Sequence, residues 1–81
     1  MELSEVLEER KKTHGDWKQQ SRLSQVLKGV IRQSEYYSRL SLPQCEALDM
    51  ILHKISRIVE GDPNEKDHWL DIAGYATLET K

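Results

Sequence analysis

Ser41–Gly61, SLPQCEALDMILHKISRIVEG, is the stretch that decides the fold. Ser41 can cap a helix, Pro43 falls in the first turn where its missing N–H costs nothing, and Gln44 can reach back to the cap. Leu48, Ile51, Leu52, Ile55, Ile58 and Val59 then repeat with helical spacing, a period that no strand shares. Gly61 stops the helix and "GDPNE" forms the loop behind it. The pattern predicts one long amphipathic helix at the centre of the molecule.

Working outward, "SEYYSRLS" reads as a connector, possessing at most a helical turn. A second helix is expected over about Trp17–Ser34, with Leu23, Val26, Leu27, Val30 and Ile31 as its stripe and Gly29 inside it at a cost of about 1 kcal/mol relative to alanine. In "THGDW", Gly15 is suited to the left-handed conformation that ends a preceding helix, and Asp16 with Gln19 is suited to capping the next. Before it, Leu3–Thr13 carries Leu3, Val6 and Leu7 on one side and then becomes wholly charged. After the loop, Glu65–Leu78 is expected to turn Trp69, Ile72, Ala73 and Ala76 inward, with Tyr75 and Leu78 flanking them. The alanines would permit close approach to a neighbouring helix. The expected architecture is all-α: residues 1–81 as a single domain, a small bundle of three main helices plus a shorter N-terminal one.

Eighty-one residues bury too little surface for a thick core, so self-association is expected to supply part of the stability. The single cysteine, Cys45, excludes an internal disulfide and fits a reducing compartment. No apolar run approaches the ~20 residues needed to span a bilayer, and the expectation is a soluble cytoplasmic protein. Twelve basic and fourteen acidic residues are intermixed, for a net charge of −2. Duplex DNA, which needs a basic face, is disfavoured as a partner.

Three stretches carry a resemblance: "ERKKTHGDW" at Glu9–Trp17, "EALDMILHKISRIVEGDP" at Glu46–Pro63 and "DHWLDIAGYATL" at Asp67–Leu78. Together they resemble a family of small phage and prophage proteins recorded as a domain of unknown function. The likeness covers nearly the whole chain, and Asp-x-Trp-x-Asp-Ile-Ala-Gly-Tyr-Ala is its most specific part. A looser likeness leads to domains associated with nucleotide modification in phages. The same tail is faintly similar to the MazG-like nucleotide pyrophosphohydrolases, which hold magnesium with E-E-x-x-E and E-x-x-D helices. Placing Asp71 on the last aspartate of that pattern puts His68 where a glutamate belongs, and only Glu46 and Asp49 stand for the first motif.

Two functional readings follow. The first is a phage-type binding or interaction protein, a homo-oligomer acting through a host or phage protein or a small ligand, with no cofactor. Its candidate ligand residues are His14, Lys54, Arg57 and Asp71, the last with the bare backbone of Gly74 beside it. The second is a nucleotide-binding or divergent MazG-like enzyme whose magnesium would be held by Glu46, Asp49, Asp67 and Asp71, with Lys54 or Arg57 meeting phosphate. Against both stands the plainer view that Glu46, Asp49, His53 and Arg57 are a solvated stripe and that Asp71 pairs with Lys54, Arg57 or Arg10. His14, His53 and His68 follow no zinc spacing. Cys45, near a helix start, is better explained as packing than as a nucleophile. Trp17, Tyr36, Tyr37, Trp69 and Tyr75 could form a stacking platform, or simply pack.

Overall fold

The computed structural model describes residues 2–81, and those residues are all-α. Four α-helices, α1 (Leu3–His14), α2 (Trp17–Arg32), α3 (Leu42–Glu60) and α4 (Lys66–Leu78), are joined by short turns, with a 3-10 turn at Tyr37–Arg39. No helix among these residues is long and apolar enough to cross a membrane. The start of α3 forms as its sequence dictates: Ser41 Oγ accepts from the Gln44 N–H at 3.2 Å, and Gln44 Oε1 accepts from the Ser41 N–H at 2.9 Å. Asp16 occupies the N-cap of α2, but its side chain makes no capping bond.

α3 is the spine. It packs against α2 and α4, while α1 leans on α2 and α3. Gln20 of α2 reaches Ser56, and Arg32 reaches Asp49; Asp71 of α4 reaches Lys54. At 3.6 residues per turn, Ser56 and Asp49 lie on nearly the opposite side of α3 from Lys54, Ala47 and Ile58. α2 and α4 therefore flank the spine and make no substantial contact with each other. The three helices form an open layer, and Ala47 and Ile58, each 8 % exposed, are the buried apolar residues of the described chain.

The layer has two unlike faces. On one, α3 presents Glu46, His53 and Arg57, and α1 lies over this side near the end of the helix. On the other, α3 presents Leu48, Ile55 and Val59, repeating at seven and then four residues. The flank of α2 opposite Lys28 and Arg32 continues this apolar face with Leu23, Val26 and Val30.

α4 departs from expectation here. Its inward residues are His68, 2 % exposed, with Ile72 and Tyr75 half-buried; Trp69 is 55 % exposed, and Ala73 and Ala76 are exposed. The helix is only weakly amphipathic and packs mainly on α3, with His68 also touching the end of α1, so one narrow stripe is buried. His68 won that stripe because its ring makes a buried hydrogen bond, whereas the indole N–H of Trp69 is satisfied locally by the Pro63 carbonyl at 2.8 Å. By helical spacing Trp69, Ala73 and Ala76 lie opposite Asp71, on the apolar side of the layer.

Two glycines lock the turns together. Gly15 has φ +88°, and a Cβ there would lie 2.6 Å from the Glu60 carbonyl oxygen. A Cβ on Gly61 would collide with the Thr13 carbonyl oxygen and lie 2.7 Å from both Arg57 O and Gly15 N. By contrast, a Cβ at Gly29 or Gly74 meets nothing within 4 Å, so no backbone or side chain uses the space beside Asp71. Gly61→Ala is expected to destabilise the chain by at least about 2 kcal/mol, and Gly29→Ala to stabilise it by roughly 0.5–1 kcal/mol. Urea denaturation of the two variants checks the contrast; equal effects would contradict the close crossing.

Candidate functional site

The site is assembled by the turn that follows α1. The Thr13 carbonyl accepts from the Asp62 backbone N–H at 3.1 Å and from His68 Nε2 at 2.9 Å. A carbonyl can only accept, so His68 Nε2 carries its proton. His14 Nδ1 lies 3.3 Å from that same nitrogen, whose one proton is committed to the Thr13 carbonyl, and 3.2 Å from Thr13 Oγ1, which donates to the Arg10 carbonyl at 3.2 Å. The two rings are tilted by 53° with centroids 4.9 Å apart. Burial, followed by the nearby charges of Arg57, His68, Arg10 and Lys54, holds the His14 pKa below its ordinary value.

Around this pair lie two clefts that share His14 and Arg57. One, of about 400 Å³, is bounded by α4 and includes Lys54, Asp67 and Asp71. The other, of about 520 Å³, opens along α1 and includes Leu7, Arg10, Lys11 and Trp17. Lys54 Nζ pairs with Asp71 Oδ2 at 2.9 Å, a bond that lowers the Asp71 pKa. Arg57 makes no ion pair among the described residues, and its Nε is buried without a hydrogen-bond partner. Burial and then the charge of Arg10 lower its pKa, against the pull of Asp71 and Tyr75.

A buried polar seam backs the site. Gln20 Nε2 donates to Ser56 Oγ at 2.7 Å, and Ser56 Oγ donates to the His53 carbonyl at 2.6 Å. Gln20 Nε2 also faces His53 Nδ1 at 3.4 Å, which fixes that nitrogen as an acceptor. Burial, and then the charges of Arg57, Lys28, Lys54 and His14, push the His53 pKa down to about 4.

His14, Lys54, Arg57 and Asp71, the candidate ligand residues, do line one cleft. The four candidate magnesium carboxylates do not converge. Glu46 is exposed, Asp49 is held bidentately by Arg32 at 3.0 Å, and Asp71 is held by Lys54. No group of three or more His, Cys, Asp or Glu side chains among the described residues is placed to hold a metal. Of the four, only Asp67 and Asp71 line the same cleft. Cys45 is half-buried, and the aromatic residues are dispersed: Tyr36 lies under Arg39 at 4.4 Å, and Trp69 stands apart from Trp17.

Sequence reasoning missed His68 as a structural hinge and Arg10 and Trp17 as cleft residues. A signal for Arg10 was present: Leu3, Leu7, Arg10 and His14 continue one helical stripe, so Arg10 and His14 share the face that begins apolar. The profile of the domain of unknown function DUF6378 matches residues 3–81. The chain belongs to the DUF6378 family. No curated protein and no solved structure matches it.

The depressed histidines of this DUF6378 domain make its stability depend on pH. Both rings bind protons more readily when unfolded, so their contribution is complete above about pH 6.5 and is lost as pH falls towards 4. Allowing for partial exposure, a loss of about 1 kcal/mol lowers Tm by roughly 4–8 °C between pH 7 and 4.5. Thermal melts of the wild type and His53→Asn check this: the variant, which keeps an acceptor for Gln20, is expected to show a shallower slope. A flat wild-type profile would refute it.

Proposed function

We propose that this protein is a binding protein, not a catalyst, and that its ligand is a nucleotide-type anion lodged on the α1 side of Arg57. The observation that carries the reading is the Arg57 guanidinium, half-buried, with no ion pair and an unpartnered Nε. A buried cation without a counter-charge is costly, and an incoming anion offsets that cost. Guanidinium also matches phosphate geometry through paired N–H donors.

The cleft along α1 is the better seat of the two. Its charged lining is Arg10, Lys11 and Arg57 against Glu8 and Asp16, whereas the α4 cleft sets Lys54 and Arg57 against Glu65, Asp67 and Asp71. His14 borders this cleft as well. Trp17, largely exposed, and Leu7 supply an apolar wall on which a base can stack. Binding, rather than hydrolysis, is favoured because two of the four candidate magnesium carboxylates, Asp49 and Asp71, are engaged by Arg32 and Lys54. The resemblance to phage and prophage proteins supplies a setting: a viral protein acting in the host cytoplasm on a host system.

A thermal-shift series with inorganic phosphate and with nucleoside mono-, di- and triphosphates, each with and without magnesium, tests this. Nucleotide at about a hundred times its Kd should stabilise the fold by about 2.7 kcal/mol. That gain is expected without metal and should largely vanish in Arg57→Gln and weaken in Trp17→Ala. No shift with any anion would reject the site. Stabilisation that requires magnesium and is abolished by Asp71→Asn would favour the hydrolase reading instead.

A further inference from the structure

We infer that the apolar face of the α2–α3–α4 layer is the contact surface for a second copy of this chain, the two layers packing face to face about a two-fold axis. Three observations fix the occupant. The first is the thinness of the single chain. Only Ala47 and Ile58, each 8 % exposed, are buried apolar residues among those described, while Val30 is 63 % and Val59 65 % exposed. A cover for this face must be present each time the chain folds, a condition that a second copy of the chain meets.

The second is area. The surface of one chain is 6099 Å². A compact monomer of 9.5 kDa has about 5,000 Å², so the chain as a whole, exposed α1 included, carries an excess of roughly 1,000 Å², enough to accommodate the ~800 Å² per partner of a stable interface. The radius of gyration agrees: 14.2 Å against about 12 Å for a compact chain of this length. The third is chemistry. α2 contributes Val26 and Val30, α3 contributes Val59, and α4 contributes Trp69 beside the small Ala73 and Ala76. A two-fold contact brings this face against itself; its charged neighbours Arg22 and Glu60, beside Leu23 and Val26, are of opposite sign. The alanines allow a helix of the partner to approach closely, with Trp69 as the large anchor at the interface.

This inference does not depend on the nucleotide reading, because the apolar face and the Arg57 clefts lie on opposite sides of the layer. The full chain is tested by sedimentation equilibrium and by thermal melts over a hundredfold range of concentration. The expected result is twice the mass of one chain and a Tm that rises with concentration. Val30→Glu and Val59→Glu place a charge where the single chain is already more than half open, so each should raise the dimer Kd at least about tenfold. Gln25→Glu, exposed and off the face, should leave it unchanged. A single-chain mass with a concentration-independent Tm overturns the inference, since it would leave the face to a different partner. A dimer whose Kd ignores both valine variants overturns it equally.

Discussion

The Thr13 carbonyl oxygen is the atom on which the arrangement turns. It accepts from Asp62 N–H and from His68 Nε2, so one group at the end of α1 binds both the loop after α3 and the buried side chain of α4. Both bonds require the α1–α2 turn to sit directly on the end of α3, which is possible because Gly15 and Gly61 face each other without side chains. An alanine at either place would separate the turns by more than a hydrogen bond tolerates. Once the turns are joined, His14 is held over His68 and beside Arg57, and the two clefts follow. A backbone constraint thus precedes and produces the side-chain site.

The elements themselves were legible wherever local chemistry was strong. The Ser41–Gln44 box, Pro43 and Gly61 mark α3 at both ends, because each satisfies or releases backbone groups regardless of tertiary context. Gly15 was legible for the same reason. The face of α4 was not. Trp69, Ile72, Ala73 and Ala76 form the more apolar stripe, yet burial in the single chain went to His68, Ile72 and Tyr75. Counting apolar residues misses a histidine whose ring gains a carbonyl partner 55 residues away. The candidate ligand residues came together because His14 ends α1 and Lys54 and Arg57 lie one turn apart on α3. Glu46 and Asp49 share a side of α3 as well, but Arg32, on α2, claims Asp49, and no reading of α3 alone reveals that.

The Trp69 stripe nevertheless retains a structural meaning. It lies on the same side of the layer as the exposed valines of α2 and α3, so the apolar pattern of three helices is coherent even though the single chain leaves it uncovered. The sequence pattern records which side of each helix leaves water, without recording whether the cover is supplied by the same chain. In a bundle of this length those two outcomes leave identical periodicity.

Dividing the layer in this way also separates two demands that conflict in a small protein. Burial of apolar area favours a uniform, uncharged surface, whereas recognition of an anion needs cations that are poorly solvated and incompletely paired. Placing both on one face would dilute each. Here α3 carries a candidate for each, with Val59 on one side and Arg57 two residues earlier on the other. If a ligand on the Arg57 side and a second copy on the apolar side each bound only the folded chain, as proposed, each would stabilise the other without any change of shape. The coupling requires only that α3 be a single rigid helix shared by the two faces, and its capping box at one end and the Gly15–Gly61 crossing at the other hold it so.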